Sequence, residues 1–200
     1  MNSLIVHTQQ RFHLKRYAWV STHSPRFCKE TKKVLIKVQK KVDCPTMTLP
    51  HEHFMQMAID QAIVAGQMGE VPVGAVMVNA DNQIIARDHN RTISSCDPSA
   101  HAEINVIRSA ARQIKNYRLL STTLYVSIEP CAMCMGAIVH ARVKTVVFGA
   151  PDPKWGAAGS LYHLGQDSRL NHQVEIIQGI CADQCRLVIQ EFFRNRRKAY

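Results

Sequence analysis

The chain has 200 residues, which is enough for one ordinary domain with some sequence left over. No run approaches the roughly 18 consecutive apolar residues of a transmembrane helix, and the first residues lack the basic start and apolar stretch of a secretory signal. We therefore expect a cytoplasmic protein without a membrane partner. Seven irregularly spaced cysteines do not suit a disulfide framework and favour metal-binding or free-thiol roles.

The net charge of +10 is concentrated at the start of the chain. Residues 1–46 hold ten Lys/Arg and two Asp/Glu, whereas residues 47–200 hold fifteen and thirteen. We predict a boundary near Met47 and interpret 1–46 as a basic N-terminal extension, disordered or included through a start-site artefact. A transit peptide is an alternative. Such a segment could also bind nucleic acid or an anionic membrane, although a solvated tail is the simpler interpretation.

From His51 onward, the apolar pattern alternates between helical and strand periods. It predicts a first helix that ends near Gly66–Gly69, followed by a hairpin of two strands, VPVGAVMV and QIIARD. Next come a helix from Ala100 to about Ile114, a strand at TTLYVSI and a helix from Cys131 to about His140. A strand at KTVVFGA, a loop at PDPKWGAAGS, a strand at QVEIIQGI and a helix from Cys181 follow. This alternation predicts a three-layer α/β domain with a mixed sheet.

Two of the predicted helices begin with residues that can bind zinc. Cys131 and Cys134 are three residues apart and share one face of a helix that starts after Pro130. The helix dipole lowers thiol pKa values at this end, so the pair forms half of a zinc site. His101, at another helix start, can supply a nitrogen ligand. For an isolated Cys-x-x-Cys, a redox pair or two buried thiols would be the alternative.

A structural zinc has four protein ligands, whereas a catalytic zinc keeps one position open for water. None of the candidate fourth ligands has a convincing spacing: Cys96, Cys181, Cys185, His89 and His140. We therefore predict three protein ligands and an open position. Glu103 does not share the helix face of His101, so it can instead move protons to and from the activated water. A first-turn glutamate that only favours the helix dipole is the alternative.

The combination of His-Ala-Glu with Pro-Cys-x-x-Cys is the signature of zinc-dependent nucleobase deaminases. Over about residues 51–198, the chain resembles the TadA family of tRNA adenosine deaminases, which act on the wobble adenosine of a bacterial tRNA. Trp155 departs from this family, in which the position is more often small or polar. The matching stretches are EVPVGAV, HNRTISSCDPSAHAEI, NYRL, TLYVSIEPCAMCMGAIVHARV, VVFGAPDPKWGAAGS, NHQVEI, GI and FFRNRR.

The resemblance implies a cytidine-deaminase-like fold, with α/β/α layers around a mixed sheet of about five strands. It implies a homodimer with one Zn²⁺ per subunit, held by His101, Cys131 and Cys134. Water on zinc would attack C6 of adenine with Glu103 as the proton shuttle, converting adenosine-34 to inosine with loss of ammonia. The implied partner is a tRNA anticodon stem-loop, and the family points to the arginine tRNA with anticodon ACG.

The resemblance also places two loop residues at the substrate. Asn90 resembles the residue that contacts the target nucleotide, and Asp152 resembles the one that touches the anticodon loop; either could instead cap a turn. In the last helix, aromatic and basic side chains suit RNA bases and phosphates, and a solvated basic helix end with one core phenylalanine is the alternative. The RNA contacts expected there are Phe192, Arg194, Arg196 and Arg197.

Two other functions compete with tRNA deamination. The first is deamination of a free base, nucleoside or nucleotide of the cytidine, deoxycytidylate or guanine type, which would use the same zinc chemistry with a different pocket. The second is a zinc-stabilised RNA-binding module without catalysis. That module would need a fourth protein ligand and would have no use for Glu103.

Overall fold

The computed structural model describes residues 50–198. The predicted extension over residues 1–46 lies outside this range and stays a prediction. The helices are α1 (Pro50–Gln67), α2 (Ala102–Ile114), α3 (Ala132–His140) and α4 (Ala182–Lys198), with a short 3₁₀ turn at Leu164–Gln166. The strands are β1 (Gly74–Val78), β2 (Ile84–His89), β3 (Thr123–Ile128), β4 (Thr145–Ala150) and β5 (Glu175–Gln178).

The five strands form one mixed sheet in the order β2-β1-β3-β4-β5. Strand β1 is antiparallel to both β2 and β3, so these two neighbours of β1 run in the same direction. Strand β4 is parallel to β3, and β5 is parallel to β4. The carboxyl ends of β2, β3 and β4 therefore lie at the same edge of the sheet, and the loops that follow them start there.

Each face of the sheet is covered by two helices. Helices α2 and α3 pack on one face around Met77, Val126 and Phe148. Helices α1 and α4 pack on the other face around Val76 and the alternate residues of the same strands. Side chains alternate between the two faces along a strand, so both faces of the central strands must be apolar. The predicted three-layer α/β/α fold with a mixed five-stranded sheet is confirmed.

Three predicted helices begin slightly later than the sequence pattern suggested. Helix α2 begins at Ala102 rather than Ala100, because His101 is its N-cap and has an extended backbone with ψ 155°. Helix α3 begins at Ala132, because Cys131 is its N-cap with ψ 173°. Helix α4 begins after Cys181, whose φ of +53° lies in the left-handed region. A helical period cannot separate a cap from the first helical residue, since both precede the apolar stripe.

Within residues 50–198, none of the helices has the length and hydrophobicity that a membrane span requires.

Close packing between α1 and β1 leads to a testable expectation at Gly74. A Cβ at this position would overlap the backbone of α1 at Ala58 and Ala62. Because helix backbone cannot move aside as a flexible side chain can, Gly74→Ala is expected to lower the free energy of unfolding by about 3 kcal/mol. Equilibrium urea denaturation would measure this change.

Gly136→Ala is the matched control, because a Cβ at Gly136 in α3 would meet no atom within 4 Å. Alanine is also the better helix former, so this variant is expected to be neutral or stabilised by up to about 1 kcal/mol. Equal unfolding midpoints for Gly74→Ala and the unmodified chain would contradict the packing described between α1 and β1.

Candidate metal and active site

Three side chains converge at the edge where β2, β3 and β4 end. The His101 Nδ1 atom lies 3.7 Å from the Cys131 Sγ atom and 3.5 Å from the Cys134 Sγ atom. All three candidate ligand atoms lie within 4.8 Å of one another. Two helix starts that are 30 residues apart in sequence are thus brought to one point by the parallel directions of β2 and β3.

These distances fit a tetrahedral zinc ion. With Zn–S bonds of about 2.3 Å and Zn–N bonds of about 2.0–2.1 Å, ligand nitrogen and sulfur atoms on one ion stand about 3.6 Å apart. The two separations between the His101 nitrogen and the sulfurs, 3.7 and 3.5 Å, match that value. The donor set of one imidazole and two thiols is also one that zinc prefers.

The electrostatic setting favours thiolate at Cys131. A hydrogen bond from the Cys134 thiol, together with one from His101, lowers the pKa of the Cys131 thiol to about 4. The N-terminus of α3 acts in the same direction, since unpaired N–H groups and the helix dipole favour a negative charge there. The hydrogen bond to Cys131 raises the pKa of His101 in turn.

Among residues 50–198, the metal cluster contains no fourth histidine, cysteine or carboxylate. Cys185 belongs to α4 and is buried in the core on the opposite face of the sheet. The His89 ring points toward α1, with Nδ1 3.3 Å from the Gln61 Oε1 atom. Cys96 is exposed in the loop between β2 and α2. In the described part of the chain, the cluster is therefore a three-ligand group.

Glu103 lies beside this cluster in the first turn of α2. Its side chain is only 3% exposed, and burial raises the pKa of its carboxyl to about 7. The neighbouring Cys134 thiol hydrogen-bonds to it. Glu103 is not a member of the three-ligand group, so the structure brings a buried carboxyl next to the metal cluster and keeps it separate from the ligand set.

A second buried glutamate, Glu129, fastens the loop after β4 to the metal cluster. Its carboxylate accepts backbone hydrogen bonds from Asp152 at 2.9 Å, Ala158 at 3.1 Å and Ser160 at 2.9 Å. The Ser160 hydroxyl donates a further one. Backbone pairing between Cys131 and Gly156 then holds this loop against the start of α3. The role of Glu129 is not predictable from the sequence, since a lone glutamate after a strand gives no signal by itself.

A third buried carboxylate organises the loop after β2. Burial alone would raise the pKa of Glu70, but hydrogen bonds from Ser94, Ile93 and Thr92 lower it. The two backbone N–H groups lie 2.7 and 3.0 Å from the carboxylate oxygens. The loop that connects Asn90 with His101 is therefore tied to the segment between α1 and β1.

Asn90 and Asp152 both act locally as caps. The Asn90 Oδ1 atom accepts a hydrogen bond of 2.8 Å from the N–H of Ala102, the first residue of α2. The Asp152 Oδ1 atom accepts hydrogen bonds from the N–H groups of Lys154 and Trp155, at 2.9 and 3.2 Å. Each side chain uses one oxygen in this way. Within the described residues, the Asn90 amide nitrogen donates no hydrogen bond.

The aromatic and basic residues near the C-terminus of α4 separate into two groups. The Arg196 guanidinium stacks over the Phe192 ring at 5.6 Å, and neither residue lines the adjacent groove. Phe193 does line it, together with Arg194 and Arg197 from α4 and Lys154 from the loop after β4. This open groove has a volume of about 650 Å³. The sequence pattern did not distinguish Phe193 from Phe192 and did not connect either of them with Lys154.

The chain is similar to known deaminases along most of the described region. Residues 49–150 match the cytidine and deoxycytidylate deaminase zinc-binding region. A curated relative, the tRNA-specific adenosine deaminase of Haemophilus influenzae, is 47% identical over 147 residues, which cover 74% of this chain and 85% of that protein.

Two solved structures are also similar to this chain in sequence and in fold. One comes from studies of A-to-I editing by tRNA:A34 deaminases at the wobble position of transfer RNA, with 40% identity, a TM-score of 0.66 and coverage of 68% of this chain and 98% of that one. A guanine deaminase from Bacillus subtilis is also 40% identical, with a TM-score of 0.50 and coverage of 57% of this chain and 71% of that one. Since the zinc-binding region, the fold and the similarity over 74% of this chain agree, the chain belongs to the zinc-dependent cytidine and deoxycytidylate deaminase family, and within it to the tRNA-specific adenosine deaminases.

Proposed function

We propose that this protein deaminates adenosine to inosine at the wobble position of a tRNA anticodon loop. The observation that carries the proposal is the three-ligand cluster of His101, Cys131 and Cys134 with a buried carboxyl beside it. The similarity to a tRNA-specific adenosine deaminase over 85% of that relative's length supports the choice of substrate. In overall balance, adenosine and water give inosine and ammonia.

The metal would be held by His101, Cys131 and Cys134 in the geometry that fits zinc. When bound by three protein ligands, zinc supplies a Lewis-acidic position that activates water at neutral pH. Both Cys131 and His101 are N-caps, so their positions are set by where α3 and α2 begin. Cys134 lies one turn into α3 and is fully buried, which keeps its thiol from competing reactions.

Glu103 would move the protons of the reaction. Its buried carboxyl can take a proton from the attacking water and deliver it to the amino group that leaves C6 as ammonia. The first turn of α2 fixes this carboxyl within contact of Cys134, so no large side-chain movement is needed between the two transfers. A glutamate that only complemented the helix dipole would not need to be buried.

Substrate recognition would fall to the loops at the same edge. The Asn90 amide nitrogen and the second oxygen of Asp152 are the polar groups that remain for the target nucleotide, because their partner oxygens cap α2 and the loop after β4. Arg194, Arg197 and Lys154 would meet the phosphates of the anticodon stem-loop. Arg196 and Phe192 would add contacts at the end of α4, where they stack on each other.

We also propose that the protein acts as a cytoplasmic homodimer. Three exposed apolar side chains lie close to the metal cluster: Met133 in the first turn of α3, and Leu161 and Tyr162, whose N–H groups bond to Gly156. Apolar side chains exposed together favour a partner surface. Sedimentation equilibrium would give the subunit number directly.

Deamination of a free base is the second candidate function. It is favoured by the 40% identity with the guanine deaminase of Bacillus subtilis. The zinc chemistry would be unchanged, and only the groups around the base would differ. The basic groove of Lys154, Arg194 and Arg197 supports RNA instead, because a free base carries no phosphate to neutralise.

The substrate assay separates these candidates. The protein is incubated with an anticodon stem-loop carrying adenosine at the wobble position, and in parallel with free adenosine, cytidine and guanine. Inosine is expected only on the stem-loop, and a loop with the anticodon ACG of arginine tRNA is expected to react faster than other loops with a wobble adenosine. If only guanine were converted, the function would be deamination of a free base and the proposed tRNA activity would be wrong.

Replacement of Glu103 tests its role in proton transfer. Glu103→Gln preserves the shape of the side chain but removes its ability to take up and release a proton. We expect full zinc content, an unchanged fold by circular dichroism and a kcat lower by about 100-fold or more, the usual contribution of a general acid–base. If the variant kept the kcat of the unmodified protein, the assignment of Glu103 would be wrong.

Replacement of one thiol tests the metal cluster. Cys131→Ala is expected to reduce zinc from one ion per subunit toward none and to lower the thermal unfolding midpoint, since metal binding contributes to folding free energy. Metal analysis after dialysis provides the measurement. The control is Cys96→Ala, because Cys96 is exposed and outside the cluster; undiminished zinc in the Cys131 variant would remove that residue from the ligand set.

A further inference from the structure

Trp155 lies at the tip of the loop after β4 and is 72% exposed. No other large apolar side chain in residues 50–198 is exposed to that degree. An indole that remains in water forgoes the favourable burial of a large apolar surface. Neither the metal cluster nor the proposed chemistry accounts for this side chain.

The backbone at Trp155 belongs to a well-bonded turn. The Asp152 Oδ1 atom accepts a hydrogen bond of 3.2 Å from the Trp155 N–H. The N–H of Gly156 donates to the Asp152 carbonyl at 2.9 Å. The Asp152 N–H in turn donates to the buried Glu129 carboxylate at 2.9 Å. Hydrogen bonds therefore hold the backbone before and after Trp155, and this backbone carries the exposed indole.

The same turn lies against the start of the metal-binding helix. The residue after Trp155 is Gly156, whose backbone pairs with that of Cys131. The next N–H, from Ala157, donates to the Pro130 carbonyl at 2.9 Å. Trp155 is therefore adjacent in sequence to the residue whose backbone pairs with the metal ligand Cys131. A group held against the indole would be close to the reacting base.

On its other side, the turn borders the basic groove. Lys154 precedes Trp155 and lines that groove with Phe193, Arg194 and Arg197 of α4. None of the six residues that line the groove is acidic. An aromatic platform beside a row of cations is the arrangement that binds single-stranded nucleic acid, where bases stack on rings and cations meet phosphates.

We propose that Trp155 is a stacking platform for one unpaired nucleobase of the RNA substrate, a neighbour of the base that is deaminated. The proposal rests on the proposed function insofar as it takes RNA as the substrate. Only an unpaired base offers a free face to an indole, so the platform would select loops over duplexes. The adjacent cations of Lys154, Arg194 and Arg197 would hold the phosphates that follow this base.

Tryptophan fluorescence tests the stacking directly. The chain contains two tryptophans, Trp19 and Trp155, so Trp19→Phe in the full-length protein leaves Trp155 as the only indole. Titration with the anticodon stem-loop is expected to quench its emission, because a stacked base provides a non-radiative path. A blunt-ended RNA duplex with the same number of nucleotides, which has no unpaired base, should bind through its phosphates with little quenching.

A matched pair of variants separates stacking from loop structure. Trp155→Phe retains an aromatic face, whereas Trp155→Leu retains only an apolar side chain. We expect the Kd for the stem-loop to rise about fivefold or more in the leucine variant, as for the loss of one stacked base, and by less in the phenylalanine variant. Zinc content and the thermal unfolding midpoint should be unchanged in both, since the side chain is exposed.

Abasic substitution of single loop nucleotides identifies the stacked base. At one position, removal of the base should weaken binding to the unmodified protein but have no additional effect on the Trp155→Leu variant. Equal Kd values for the unmodified protein and the leucine variant, with no quenching, would overturn the proposal. If the emission instead changed with protein concentration and not with RNA, Trp155 would belong to a contact between two copies of the chain.

These outcomes are distinct from a failure of the proposed function. A stem-loop that is converted to inosine equally well by all three proteins, with equal Kd values, would leave the function standing and remove the role of Trp155. A stem-loop that quenches Trp155 but yields no inosine would keep the platform and remove the activity.

Discussion

The structure depends on three strands that end at the same edge of one sheet. Because β2 and β3 are both antiparallel to β1, their carboxyl ends coincide, and the two helices that follow them begin side by side on one face. His101 and Cys131 are the N-caps of those helices. The metal cluster is thus a direct product of strand direction, and α2 and α3 each contribute the end that favours thiolate and other negative charge.

Buried carboxylates hold the loops around this cluster. Glu70 binds the N–H groups of the loop before His101, and Glu129 binds those of the loop after β4. A carboxylate removed from water is costly unless hydrogen bonds replace its hydration. Several charge-assisted bonds to backbone N–H groups provide that replacement and leave the loops few alternative conformations. The two loops where a substrate would bind therefore have no regular secondary structure, yet their conformation is held by hydrogen bonds.

In this arrangement, buried groups serve the chemistry and exposed groups are available for contact with the substrate. Cys134 and Glu103 are buried, where the surroundings control their protonation and exclude bulk water. Trp155, Lys154 and Arg194 are exposed on the rim, where they can meet a large polyanion. Asn90 is buried and Asp152 is partly exposed, and each has one side-chain oxygen bound to backbone. A small substrate would need only the buried set, and the extent of the basic rim is what favours RNA.

Much of the fold follows from local patterns in the sequence. Apolar residues with periods of two and 3.6 determine where each strand and helix lies, since burial on the sheet requires those periods. The pair Cys131 and Cys134 is likewise visible, because three residues bring two side chains to one helix face. The spacing of His101 and Glu103 also predicted that Glu103 lies outside the group of candidate ligands, and in the structure it does.

Tertiary structure decided what no local spacing can express. The 3.5 and 3.7 Å separations that unite His101 with the two thiols arise from strand order, which involves partners far apart in the chain. Glu129 acquires its role only because Asp152, Ala158 and Ser160 fold back over it. Phe193 joins Lys154 across a groove while the adjacent Phe192 stacks with Arg196, because consecutive helix residues point in different directions. The sequence by itself determined the elements and the chemistry of their ends; the packing of the sheet determined which of those ends meet.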